Sequence, residues 1–233
     1  MKRKIAVIFD LDGTLVDTEK IHAEAESKLL SKLGIKITPQ KITQKYAGIS
    51  TESYIEKIAK YKKSLGDLML EKNQTINDIV EKNGIFPIGG MPDFISYLNT
   101  FKIPIFIASS SSIEWIKKCL NVSFEIKNKL FSYGDYFKNN FISCSEVKNP
   151  KPSPDIFIEA KKRMLKKYNI TKDMDIDWIV VGDSLVDGNG GINAGMKAFI
   201  LGRFKKESIK NSEMIIFSTP PKLIKHMKAL LKT

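Results

Sequence analysis

Residues 4–19 of this 233-residue chain read KIAVIFDLDGTLVDTE. After the leading lysine, the run up to the first aspartate is apolar and contains several β-branched side chains, which is typical of a strand buried on both faces. Asp10, Asp12 and Gly13 follow at once, so the strand leads into an acidic, glycine-containing loop. In parallel α/β sheets such loops lie at the carboxyl ends of the strands, where ligands bind.

The same order of short apolar run and polar loop recurs along the chain. Further strands are predicted at residues 103–108, 178–181, 197–201 and 214–217. Helical periodicity follows at residues 111–120, 155–168, 185–194 and 220–231. This alternation predicts an α/β fold with a parallel sheet that helices cover on both faces.

Residues 18–86 interrupt the alternation, because they show helical periodicity and no convincing buried strand. Helices are predicted there at residues 19–33, 51–61 and 66–82. A helical block of this length is too long for a simple crossover between two strands. The sequence therefore predicts two domains, a core of residues 1–16 and 88–233 and a small all-helical domain of residues 17–87.

The composition excludes several classes of protein. Hydrophobic residues make up 42% of the chain, yet no apolar run approaches the roughly 20 residues of a membrane span. The net charge is +12, but only three of the 38 basic residues are arginines, which nucleic-acid readers favour. We therefore predict neither a nucleic-acid nor a membrane partner. Two cysteines give no disulfide framework, and the first apolar run is too short for a signal peptide, so we expect a cytoplasmic protein.

Polar side chains follow the predicted strands. Asp10 and Asp12 follow the first strand. Ser109 follows the second, and Asp183 follows the third. Carboxylate oxygens suit Mg²⁺, while a serine hydroxyl and the ammonium of Lys151 can hold phosphoryl oxygens. A cation and a lysine also offset the repulsion between a phosphate ester and an attacking carboxylate. Phosphoryl transfer is therefore the chemistry that these residue types favour.

Four segments resemble, in the same order, the four motifs of the haloacid dehalogenase superfamily. They are DLDGTLVDTE at residues 10–19, IFIASSS at 105–111, KPSPDIF at 151–157 and VVGDS at 180–184. The resemblance covers essentially the whole chain. It implies a Rossmann-like core, with the helical domain inserted after the first motif as a cap.

The resemblance also implies roles for individual residues. Asp10 is the nucleophile that forms an aspartyl-phosphate, and Asp12 is the general acid–base. Ser109 and Lys151 hold the phosphoryl oxygens, with a contribution from Ser110. Phosphatases and phosphomutases of the family carry an acid at the position of Asp12, whereas its dehalogenases do not. Dehalogenase activity is therefore not expected.

The cofactor that the resemblance implies is Mg²⁺. Its ligands are expected to be Asp10, the main-chain carbonyl of Asp12, and Asp183, with Asp187 supporting the shell. Asp187 also lies early in a predicted helix, so a helix-capping role is the alternative for that residue.

Some residues of the predicted cap are expected to contact the substrate or to limit which substrate binds. His22 and Gly48 match positions of the β-phosphoglucomutase-like branch, and we predict that both contact the substrate. Lys72 begins a Lys-Asn pair that resembles one on the last cap helix of that branch. Where mutases of the branch carry basic residues, this chain has Ala47 and Thr51. It therefore lacks the cationic side chains that would bind a second, distal phosphate of the substrate.

These observations favour a phosphatase that acts on a small phosphorylated metabolite, with a sugar phosphate as the leading substrate class. A phosphomutase of the β-phosphoglucomutase type is the alternative, and a binding or regulatory protein without turnover is a rival from another class. The oligomeric state is open, and we favour a monomer. Trp115 and Trp178 are interpreted as core residues, and the serines at 110–112 as caps of the helix that follows.

Overall fold

The structure is a computed structural model that describes residues 4–46, 54–55, 64–171, 176–202 and 212–231. The chain divides into two compact units. The first comprises Met1–Val16 and Pro87–Thr233, and the second comprises Asp17–Phe86. The role of the second unit as a cap stays a prediction.

The first unit contains a six-stranded sheet. Its strands and those of a separate two-stranded hairpin are β1 (Lys4–Phe9), β2 (Ile105–Ser109), β3 (Ser123–Ile126), β4 (Lys129–Ser132), β5 (Phe141–Ser143), β6 (Ile176–Gly182), β7 (Lys197–Leu201) and β8 (Met214–Phe217). The strand order of the sheet is β5-β2-β1-β6-β7-β8, and neighbouring strands are parallel. The predicted α/β fold with a parallel sheet is therefore confirmed.

Helices flank the sheet and build the second unit. They are α1 (Glu19–Lys32), α2 (Pro39–Tyr46), α3 (Leu65–Asn83), α4 (Met91–Thr100), α5 (Ile113–Asn121), α6 (Tyr133–Phe137), α7 (Asp155–Lys167), α8 (Leu185–Asn193) and α9 (Pro220–Leu230). Among the described residues, no helix is long and apolar enough to cross a membrane.

Strand β1 occupies the centre of the sheet because its side chains are apolar on both faces. Ile8 belongs to a cluster that includes Phe157 of α7. On the opposite face, Phe9 makes edge contacts with Phe94 of α4 and Phe137 of α6, at centroid distances of 6.3 and 6.1 Å. Burying a phenylalanine of this kind contributes about 2–3 kcal/mol. The acidic loop after Phe9 therefore starts from a rigid position.

Two features of the strands were not predicted. Strand β5 has only three residues, and β3 and β4 have polar or charged side chains at half of their positions, so none of them presents the continuous apolar run that identified the other strands. Strand β2 begins at Ile105 rather than at residue 103, and the residue before it is Pro104, which has no N–H to give to a ladder.

The second unit has its own hydrophobic cluster, which includes Leu30 of α1 and Ile42 of α2. A buried ion pair joins Lys72 Nζ to Glu26 Oε1 at 2.9 Å, and the hydroxyl of Tyr54 donates to the other oxygen of that carboxylate. Helix α2 was not predicted. Most of the helix predicted at residues 51–61 lies outside the described residues.

Candidate active site

The carboxyl ends of adjacent strands bring the predicted acidic residues together. Phe9 at the end of β1 pairs with Ile107 of β2 on one side and with Val181 of β6 on the other. Asp10 follows the first of these strands, and its amide donates to the carbonyl of Val181 at 2.8 Å. Carboxylate oxygens of Asp10, Asp183 and Asp187 lie within 4.8 Å of one another.

Lys151 lies among these carboxylates although it comes from a different loop. Its Nζ donates to Oδ1 of Asp10, to Oδ1 of Asp187 and to the carbonyl of Ala108, each at 2.7 Å. Its side chain is only 2% exposed. An ammonium has three hydrogens, so these three acceptors use all of them. Lys151 therefore joins the loop after β1 to the end of β2 and to the first turn of α8.

Burial and charge act in opposite directions on this cluster. Burial raises the pKa of Asp10 to about 7, and Asp187 and Asp12 add to the increase, whereas Lys151 opposes it. Burial by itself would lower the pKa of Lys151, but Asp10 and Asp187 raise it above its ordinary range. Three carboxylates, two of them buried, share one ammonium, so their ionised forms together carry more negative charge than Lys151 can neutralise. A divalent cation would neutralise that excess, and the all-oxygen donor set fits Mg²⁺.

Two glycines allow the carboxylates to approach the strand ends. A Cβ at Gly13 would lie 2.1 Å from Oδ2 of Asp183, and a Cβ at Gly182 would lie 2.5 Å from Cβ of Asp187. Gly13 also has a φ of +74°, a conformation that L side chains rarely adopt. A side chain at either position would occupy the space that an acidic residue of the site now fills.

We expect Gly13→Ala to displace Asp183, lowering the activity of the site about 100-fold and the free energy of unfolding by about 2–3 kcal/mol. Gly195→Ala is the matched control, because Gly195 has the same φ of +74° but nothing within 4 Å of its added Cβ. Steady-state kinetics and thermal unfolding of both variants check the prediction. Equal losses in the two variants would contradict it.

The carboxylate of Asp12 accepts hydrogen bonds from two side chains, one just before helix α5 and one in its first turn. The hydroxyl of Ser111 donates to Oδ2 at 2.6 Å, and the indole Nε1 of Trp115 donates to Oδ1 at 2.8 Å. The interpretation of Trp115 as a core residue was therefore incomplete, since the ring is buried but its N–H reaches Asp12. A buried indole N–H usually has a hydrogen-bond partner, but the local sequence does not show which residue that partner is.

The serines at the end of β2 and directly after it have different roles. Ser109 is buried, and its Oγ accepts from the amide of Ser111 at 3.0 Å. Ser110 is exposed. Ser112 is the N-cap of α5, since its Oγ accepts from the amide of Trp115 at 3.2 Å. Of the three serines predicted as caps, Ser112 therefore has that role and Ser111 contacts Asp12 instead.

Asp187 has the helix-capping role that was the alternative for it. With Ser184 it forms a capping box at the start of α8, and its other oxygen pairs with Lys151. Its place in a metal shell stays a prediction. His22 lies on α1 of the second unit, and Gly48 lies outside the described residues. Substrate contacts of both residues stay predictions.

Comparisons with known proteins agree with the four-motif pattern. The family profile of the haloacid dehalogenase-like hydrolases matches residues 7–201. A 6-phosphogluconate phosphatase from Escherichia coli is 24% identical over 199 residues, which cover 85% of this chain and 83% of that protein. A probable pseudouridine-5'-phosphatase from Drosophila melanogaster is 27% identical over 157 residues, which cover 67% of this chain and 65% of that protein.

Solved structures share the fold. The crystal structure of a β-phosphoglucomutase from Clostridium difficile is similar with a TM-score of 0.69 at 22% identity, over 97% of this chain and 96% of that one. A hydrolase from Pseudomonas syringae is similar with a TM-score of 0.72 at 21% identity, over 97% of this chain and 98% of that one. At these identities the likeness describes the fold alone.

Proposed function

Because this chain belongs to the haloacid dehalogenase-like hydrolases, we propose that it is a magnesium-dependent phosphatase that hydrolyses a small phosphomonoester. A sugar phosphate is the favoured substrate class. Relatives named as a 6-phosphogluconate phosphatase and a probable pseudouridine-5'-phosphatase support this choice. The observation that carries the proposal is the triple contact of Lys151, which places a buried cation against the predicted nucleophile.

We assign the nucleophilic attack to Asp10. Lys151 engages Oδ1 of this carboxylate, so Oδ2 is the oxygen that attacks phosphorus. The new bond from Oδ2 to phosphorus forms as the bond from phosphorus to the ester oxygen breaks. The product is an aspartyl-phosphate, and the difficult hydrolysis is divided into two easier steps.

We assign the proton transfers to Asp12. In the first step its carboxyl gives a proton to the departing ester oxygen, which leaves as an alcohol. In the second step the same carboxylate takes a proton from the attacking water. That water forms a bond to phosphorus while the bond from phosphorus to Asp10 breaks, so inorganic phosphate leaves and both aspartates return to their starting states.

Asp10, Asp183 and the main-chain carbonyl of Asp12 would hold Mg²⁺, with Asp187 supporting the shell. When bound, it would neutralise charge on the substrate and polarise the phosphoryl oxygens. Ser109 can donate its hydroxyl proton to a phosphoryl oxygen. A phosphoryl oxygen near Lys151 would take the place of one of its three present acceptors.

The test is release of inorganic phosphate from a panel of phosphomonoesters by the purified protein. We expect turnover with Mg²⁺ and a loss of more than about 100-fold after chelation, restored when Mg²⁺ is added back. Activity that survives chelation would contradict the metal dependence. Interconversion of sugar phosphates primed by a bisphosphate would indicate the mutase, and inertness on the whole panel would indicate a binding protein.

A further inference from the structure

We propose that Trp115 and Ser111 are positioning residues that together hold the carboxyl group of Asp12 in the orientation for proton transfer. This inference rests on the proposed phosphatase function. The two donors reach different oxygens of one carboxylate, Oδ1 at 2.8 Å and Oδ2 at 2.6 Å. A carboxylate held at both oxygens cannot rotate about its terminal bond without losing a hydrogen bond. Its orientation is therefore set by α5 and the loop before it.

Each donor is itself held by the first unit. The carbonyl of Ser111 accepts from the hydroxyl of Ser143 at 2.7 Å, and its amide donates to Oγ of Ser109 at 3.0 Å. The amide of Trp115 donates to the N-cap hydroxyl of Ser112. The ends of β2 and β5 and the first turn of α5 thus set the positions of both donors. Asp12 is oriented by parts of the chain about 100 residues away from it.

The two donors differ in kind. An indole N–H can only donate, whereas a serine hydroxyl can donate or accept. Both donate to the carboxylate of Asp12, one to each oxygen.

The experiment compares two esters that differ in their need for an acid. 4-Nitrophenyl phosphate has a good leaving group, whereas glycerol 3-phosphate, or the sugar phosphate that the wild type hydrolyses fastest, has a poor one that must be protonated as it departs. We expect Trp115→Phe to lower kcat/KM about tenfold for the alkyl ester and by less than about twofold for the aryl ester. Ser111→Ala should show the same selectivity, and Ser111→Thr, which keeps the hydroxyl, should restore the alkyl activity.

Trp178→Phe is the matched control, because it removes an indole N–H from a comparably buried tryptophan, with exposures of 5% and 9% for Trp178 and Trp115. It should leave the ratio of the two activities unchanged. Equal losses on both esters in Trp115→Phe, or no loss, would overturn the positioning role while leaving the phosphatase in place. A wild type that is inactive on both esters would overturn the proposed function, and this inference with it.

Discussion

Replacing Asp10 by asparagine is expected to lower phosphate release by at least about 1,000-fold. An amide oxygen of asparagine is a far weaker nucleophile than a carboxylate, so the aspartyl-phosphate cannot form.

The fold of the Asp10→Asn variant should survive. Burial raises the pKa of Asp10 from its ordinary value of 3.8 to about 7, so the charged carboxylate progressively lowers the free energy of unfolding between about pH 4 and about pH 7, and the loss stays constant at higher pH. The neutral, isosteric amide does not carry that cost.

The measurement has two parts. Thermal unfolding without divalent metal should place Asp10→Asn at or above the wild type, while added Mg²⁺ should stabilise the wild type more than the variant. Asp177→Asn is the matched control, because Asp177 lies on β6 in a surface ion pair with Lys197. It should keep full activity. Turnover by Asp10→Asn close to the wild-type rate would exclude Asp10 as the nucleophile.

Replacing Lys151 by methionine is expected to lower the free energy of unfolding by about 3–5 kcal/mol and to abolish activity. The large effect follows from burial. The ammonium is 2% exposed, and its removal leaves Asp10 and Asp187 close together without their shared cation, with the carbonyl of Ala108 also losing its donor. Chemical denaturation with the metal chelated measures the change in the free energy of unfolding directly.

Two further variants test the origin of that loss. Lys197→Met makes the same change in a half-exposed ion pair of the same sheet, and it should cost less than about 1 kcal/mol. Combining Asp10→Asn with Lys151→Met should recover part of the lost stability, because one of the stranded charges is removed. A loss in Lys151→Met no larger than that in Lys197→Met would show that Lys151 does not neutralise the site.

Much of the fold could be predicted because its signals are local. The strands at residues 4–9, 197–201 and 214–217 agree with the structure at both ends, since short apolar runs between polar loops mark buried strands. The helix predicted at residues 155–168 ends one residue early, at Lys167. By contrast, β5 has only three residues and the strands of the β3–β4 hairpin mix polar and apolar side chains, so neither shows a continuous apolar run.

The candidate site could be predicted only in part, because local patterns do not show which distant side chains come into contact. Asp10 and Asp183 were expected at one edge of the sheet, because parallel strands bring their carboxyl ends together. The contact of Trp115 with Asp12 was not expected. Nothing in the local pattern around Trp115 distinguishes an indole that packs in the core from one that also donates to an acid.

Short-range patterns identified most of the longer strands and helices and the acidic residues that follow β1 and β6, because hydrophobic period and loop chemistry act over a few neighbouring residues. They do not identify which distant side chains share a hydrogen bond, because those contacts form only in the folded chain. Lys151 and Asp10 are 141 residues apart in the chain, and Trp115 and Asp12 are 103 apart. Contacts over such separations depend on strand order and helix packing, and the folded sheet sets both.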